Sequence, residues 1–498
     1  MVTETLPLTT IGIVIIIATV FSIFIRKLGQ NEVIGFILAG FLLGPFAMNF
    51  LNPTDPLVTG FAELGLFVLL FYLGIELSLK EFLSAGKTIF GLAAIDMAIT
   101  TGAGVAIMLL LGHSLLFAVI VGIMMFSTST AIIGKFIINK GLMQNIAAKT
   151  ALSILILQDF LGILLLVFVT SLSKESGSVT GLAIASVVFA VSAFYAVFHL
   201  SKLVENWLKK NDFGHTEMTL YAIGVGLIVA TLASILGLST AIGAYFAGFA
   251  LSETESGERV KKDVGFLRDF FLVFFFVGFG TALFYDYAAK AVVIPGLSEL
   301  LGLMLFAGSL GVVAITAHSI AVRIFGPWFG VAGEDATLMS ILLAPLGEFV
   351  VIIATVTIVV LKGAEAKLLG PLAFLLIIIT LLIFQPLYNA RQLHQKVFGL
   401  IPSMQMAKPK KAEEKEESYV KKQAKDAILN FFVVVCFAWI TVILYEELPR
   451  FGVPIVYSRE ATAALLFVFF ASVPFFKGAR AVKRMLKEML AKRKTAPN

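Results

Sequence analysis

Thirteen mostly apolar stretches, each near the length of a bilayer crossing, succeed one another over the first 390 residues, near 7–26, 32–48, 60–79, 88–111, 115–136, 149–172, 180–200, 217–236, 239–252, 266–285, 300–323, 337–361 and 368–389. A helix needs roughly 20 such residues to cross the hydrocarbon core. Lipid offers no partners for backbone N–H and C=O groups, so a spanning segment must satisfy them within itself as a helix or around a closed barrel. Lengths near 20, rather than about ten alternating residues, select helices. The fold class expected is therefore an all-α polytopic membrane protein. With 59% hydrophobic and 14% charged residues and a mean hydropathy of +0.97, the chain is too apolar for a soluble multidomain protein. The first stretch lacks a basic leader and is long enough to cross, so it reads as a retained helix in a mature chain that begins at Met1.

Loop charge sets the orientation. Arg26, Lys27, Lys135, Lys140, Lys209, Lys210, Lys261 and Lys262 fall among the basic residues of one face, whereas the other carries only Lys174, Lys290, Lys362 and Lys367. By the positive-inside rule the rich face is cytoplasmic, with the N-terminus outside, in a cell inner membrane. The net charge of +6 reflects these loops and lends no support to nucleic-acid binding. The single cysteine, Cys436, excludes an internal disulfide, and the five histidines show no zinc-ligand spacing. No nucleophile–base set or cofactor loop is present, so neither an enzyme nor a cofactor is expected.

The domains expected are a transmembrane transport domain at 1–400, a charged cytoplasmic linker at 401–426 (IPSMQMAKPKKAEEKEESYVKKQAKD) and an extra membrane hairpin with a basic tail at 427–498. The hairpin pairs 427–445 with 461–476; Pro454, Pro474 and the short second segment also allow an interfacial helix.

An internal repeat is visible. The second span reads Val33-IGFILAGFLLG-Gly44 and the ninth Ala241-IGAYFAGFALS-Ser252, matching at Gly35/Gly243, Ala39/Ala247 and Gly40/Gly248. The third (Leu70-FYLGIEL-Leu77) and tenth (Phe274-FFVGFGT-Thr281) echo each other more weakly. Both pairs lie seven spans apart. An odd separation makes the copies cross in opposite directions, which is the inverted-repeat architecture of many secondary transporters.

An ionisable residue inside a span costs about 2.5–3.5 kcal/mol on insertion scales and is a functional candidate by default. Asp159, mid-way along the sixth span with Gln158 beside it, is the strongest. The fifth span carries four consecutive hydroxyls, Ser127, Thr128, Ser129 and Thr130; the twelfth carries Ala344-PLGEF-Phe349, where Pro345 and Gly347 interrupt the helix before Glu348. Hydroxyls that only bond back to their own helix are the ordinary alternative. Interrupted helices at matching positions of the two halves point instead to a binding site, where unwound carbonyls and half-helix ends coordinate a cation.

The motifs Val33-IGFILAGFLLGP-Pro45, Ala62-ELGLFVLLFYLGIEL-Leu77, Thr128-STAI-Ile132, Leu157-QDF-Phe160, Gly243-AYFAGFALSE-Glu253, Phe274-FFVGFGT-Thr281 and Gly347-EF-Phe349 together resemble the Kef branch of the monovalent cation:proton antiporter-2 superfamily, related to sodium/proton exchangers of the NapA kind. The resemblance covers residues 33–349. It implies a homodimeric 13-helix elevator, with a dimerisation bundle and a mobile core built around crossed, interrupted spans 5 and 12. It further implies that Asp159 is the carboxylate shared by proton and cation, that Gln158 is its neutral neighbour, and that Thr128, Ser129 and Thr130 are ion contacts. Asp159, Ser129 and Thr130 would then hold the monovalent cation, and Glu348 would serve structure more than ion binding. Two departures stand out. The lysine usual nine residues before Arg323 is Ala314, with His318 as the nearby titratable substitute, and residues 401–498 carry no Gly-rich nucleotide fingerprint.

The function expected is electroneutral monovalent cation:proton antiport, K⁺ ahead of Na⁺, in contact with membrane lipids and with a separate regulatory subunit at the linker. The alternatives are a Na⁺/H⁺ antiporter, a gated K⁺ channel, an organic-anion symporter on a related fold, and a non-transporting sensor.

Overall fold

The computed structural model describes residues 7–76, 86–172, 179–211, 213–403 and 459–494 and parts of 423–441, apart from loop positions 287, 288, 290, 294, 359, 360 and 362. The first half contains α1 (Pro7–Lys27), α2 (Glu32–Leu43), α3 (Pro56–Glu76), α4 (Gly86–Leu110), α5 (Leu115–Phe126), α6 (Thr130–Asn139), α7 (Ile146–Leu172) and α8 (Val179–Lys210). The second contains α9 (His215–Ile235), α10 (Thr240–Ser252), α11 (Gly257–Thr281), the strands β1 (Tyr285–Asp286) and β2 (Ala291–Val292), then α12 (Leu297–Phe325), α13 (Gly333–Leu342), α14 (Phe349–Thr357), α15 (Gly363–Asn389), α16 (Arg391–Phe398) and α17 (Arg459–Lys494). Nine helices among the described residues are long and apolar enough to cross a membrane.

The remaining expected spans are short or broken. Asn31, Ser114 and Ser239 open α2, α5 and α10, each side chain accepting from a backbone N–H of the first turn. The second span, expected to reach 48, ends as a helix at Leu43, because Pro45 cannot continue the ladder and disfavours helical backbone at Gly44. Spans 5 and 12 are each two helices, α5–α6 and α13–α14.

The chain divides into two compact units. One comprises Met1–Leu69, Leu77–Ser173 and Val264–Lys408; the other comprises Leu70–Glu76, Lys174–Asp263 and Pro409–Asn498. In the first, a Cβ on Gly35 would lie 2.7 Å from Ser22 Cα of α1, and one on Gly40 would lie 2.1 Å from Val277 O of α11. In the second, a Cβ on the repeat-related Gly243 would lie 2.4 Å from Ala230 Cα of α9, and one on Gly248 would lie 2.1 Å from Phe71 O of α3. Only glycine permits such backbone contact. Each glycine therefore plays in its own unit the part its counterpart plays in the other, and the inverted repeat is visible in packing as well as in sequence.

In the second unit, Val433, Phe437 and Ala471 pack with Val191, Tyr195 and Ala196 of α8. Helix α17 runs through Pro474 and the basic tail instead of stopping at 476 as expected. Membrane helices tolerate proline where neighbours satisfy the freed backbone groups, and α15 likewise contains Pro371 and Pro386. Most of the expected linker, residues 404–422, and the segment 442–458 lie outside the described residues.

Candidate ion-exchange site

Ser, Thr, Pro and Gly are poor at holding a helix interior, since hydroxyls compete for backbone groups and proline lacks a donor. At Ser127–Ser129 the helix opens, with extended backbone at Ser129 (φ −83°, ψ 100°). The freed groups find partners on the facing break. Ser129 N–H donates to Pro345 O (2.8 Å) and Gly347 N–H donates to Ser127 O (2.9 Å), and Thr128 and Leu346 pair as an isolated antiparallel bridge. The two interruptions thus satisfy one another. A Cβ at Gly347 would fall 2.8 Å from Ser129 Cα, which explains the glycine. Pro345 contributes the carbonyl and has no N–H left over. Ser129 also caps α6, accepting from Ile132 N–H (3.4 Å).

Neighbouring spans support each break. On α15, Thr380 Oγ1 accepts from Leu346 N–H (3.1 Å). On α7, Gln158 and Asp159 face the break of span 5: Thr128 Oγ1 donates to Gln158 Oε1 (2.5 Å) and Thr130 Oγ1 donates to Asp159 Oδ2 (2.9 Å). Spans 6 and 13 are repeat partners, yet one brings a carboxylate and the other a hydroxyl. Asp159 and Thr130 are half-buried, whereas Thr128, Ser129 and Gln158 are buried. All five ion-contact candidates are therefore gathered within one neighbourhood. Glu348 sits at the N-terminus of α14 with its Oε2 buried and without a hydrogen-bond partner among the described residues.

His318, on α12, is fully buried, and its Nδ1 lies 2.9 and 3.0 Å from the two carboxylate oxygens of Asp96 on α4. Asp96 is also fully buried and accepts from Gln158 Nε2 (2.8 Å). Sequence reasoning left the compensation of the core open at His318 and missed Asp96. The signal was present: Asp96 is an acid inside the apolar run of span 4, and the rule that selected Asp159 applies to it equally.

Two interrupted helices crossed beside a carboxylate on a neighbouring span define the class, a secondary transporter with the cation/proton antiporter fold. The sodium proton antiporter MjNhaP1 from Methanocaldococcus jannaschii shares this fold, with a TM-score of 0.57 over 79% of this chain and 99% of its own at 18% identity. The family model "Sodium/hydrogen exchanger, transmembrane" matches residues 13–390, and the chain belongs to that family.

Relatives include the putative cation/proton antiporter YbaL of Escherichia coli K12, 28% identical over 70% of this chain and 62% of its own. The K(+)/H(+) antiporter subunit KhtU of Bacillus subtilis is 26% identical over 80% and 98%. The glutathione-regulated potassium-efflux system protein KefC of E. coli O81 is 27% identical over 52% and 42%. The Kef resemblance carried by the motifs thus agrees with the relatives found. The chain spans less than two thirds of the length of the first of these relatives, and 27% of the chloroplastic K(+) efflux antiporters 1 and 2 of Arabidopsis thaliana.

Proposed function

We propose that the chain exchanges a monovalent cation for protons across a cell inner membrane, K⁺ ahead of Na⁺, with Asp159 as the group both ions share. The observation that carries this reading is the half-buried Asp159 carboxylate beside the unwound Ser127–Ser129 backbone, joined to it through Thr130. A carboxylate crosses a membrane interior cheaply only when neutralised, by a proton or by a cation. One such group gives one-for-one, electroneutral exchange, with Gln158 supplying oxygen but no charge and Ser129 and Thr130 completing the cation's shell. Alternating access would move the core of spans 5 and 12 as an elevator against a dimerisation bundle.

Loop Lys and Arg asymmetry supports a cytoplasmic C-terminus, and kinship with K(+)/H(+) and K(+) efflux antiporters supports K⁺. Two relatives are named as antiporter subunits, which supports a regulatory partner at the 401–426 linker between the transport domain (1–400) and the hairpin with its tail (427–498). A homodimer is part of the same reading. In proteoliposomes Asp159→Asn should abolish K⁺ flux driven by a pH gradient; flux retained in this variant would remove the claim. Na⁺ is the second reading, favoured by the family match itself. Wild-type flux of K⁺, Na⁺ and Rb⁺ measured in one preparation separates the two.

A further inference from the structure

We infer that Asp96 and His318 are positioning residues for the exchange site, acting by fixing which end of the Gln158 amide faces Thr128. The inference rests on the exchange reading above and goes beyond it to two residues outside the ion's immediate surroundings.

The Asp96 Oδ2 oxygen turned toward Gln158 accepts a hydrogen bond, so the amide end facing Asp96 is the NH₂. Gln158 Nε2 accordingly donates to Asp96 Oδ2 at 2.8 Å, and Oε1 is turned the other way, onto Thr128. A hydroxyl has one hydrogen and two lone pairs. Thr128 commits its hydrogen to Gln158 Oε1 at 2.5 Å, which leaves only lone pairs for a cation. Were the amide reversed, its NH₂ would donate to Thr128, and the hydroxyl hydrogen would turn outward to repel a cation. Thus the direction of one amide decides whether Thr128 is a cation ligand.

His318 completes the chain. Its Nδ1 lies 2.9 and 3.0 Å from the two Asp96 oxygens, and with its proton on Nδ1 it donates to the carboxylate and holds it in place, while Nε2 is buried without a hydrogen-bond partner among the described residues. Asp96 and His318 are wholly buried and Gln158 is 1% exposed, so the links of the chain are shielded from bulk solvent. Each link of the chain pairs a donor with an acceptor, and such pairing orders a buried polar network. The four residues come from spans 4, 5, 6 and 11, so the relay ties the break in span 5 to three neighbours.

The test uses the full chain in proteoliposomes, with K⁺ as the varied ion. Asp96→Asn offers Gln158 a donor and frees the amide to reverse. It should raise the KM for K⁺ about ten-fold while the maximal rate stays within about two-fold, as for loss of one hydrogen-bonding ligand. Thr128→Ala should raise KM comparably, and combining the two should add nothing further, because both remove the same ligand. Independently, His318→Leu should raise KM more than His318→Lys, which keeps a donor for Asp96. An unchanged KM in Asp96→Asn, additive effects of the pair, or equal effects of the two His318 variants would overturn the inference. Absence of any exchange by the wild-type chain would instead overturn the functional reading on which it rests.

Discussion

At the scale of single residues, the proposed exchange rests on the competition of two ions for one carboxylate, Asp159. Protonating Asp159 removes the charge a cation needs, so the apparent affinity for K⁺ should fall as pH falls. Below the carboxyl's own titration midpoint the KM should rise about ten-fold per pH unit, the limit for one-site competition with a proton. A KM flat across pH would argue for separate sites. Asp159 and the hydroxyl run were legible because each is anomalous in an apolar helix. Asp96 was equally anomalous, but its role depends on contact with His318 and Gln158, and 222 residues separate it from His318. No periodicity or spacing carries that information. His318 in turn was legible as an oddity beside a missing lysine, without its partner.

Among the elements, the two breaks were marked by composition: hydroxyls in span 5, Pro345 and Gly347 in span 12. What composition could not supply is that each break completes the other through Ser129–Pro345 and Gly347–Ser127. Gly347→Ala should therefore force the crossing apart at the Ser129 Cα. Overpacking of this kind costs about 1–3 kcal/mol, and it should appear as a lower thermal midpoint in detergent together with weakened cation binding. A variant with an unchanged midpoint would show that the crossing has slack. Helix ends were less legible. Pro45 stops α2 early while Pro474 leaves α17 uninterrupted, and membrane helices tolerate a proline only where the freed backbone groups are satisfied. That is a matter of packing, not of the residue alone.

On the scale of the whole molecule, the inverted repeat was readable from glycines because they record backbone contact directly: Gly40 against α11 and Gly248 against α3. The repeat also shows where the halves diverge, since span 6 contributes Asp159 and span 13 contributes Thr380. Orientation rests on loop charge, and labelling tests it. Cys436 is the one native cysteine and is buried, so a cysteine replacing Lys209 should react only from the cytoplasmic side and one replacing Lys362 only from outside. The reverse pattern would invert the topology. On the proposed reading, in which Asp159 alone exchanges proton and cation while Asp96 stays fixed in its contacts with Gln158 and His318, each cycle moves no net charge. The most direct measurement of that claim is the null point of exchange in proteoliposomes, with fixed K⁺ and H⁺ gradients and an independently imposed membrane potential. One carboxylate shared in turn predicts zero net flux when the two concentration ratios are equal, whatever the potential. A null point that shifts with potential would contradict it.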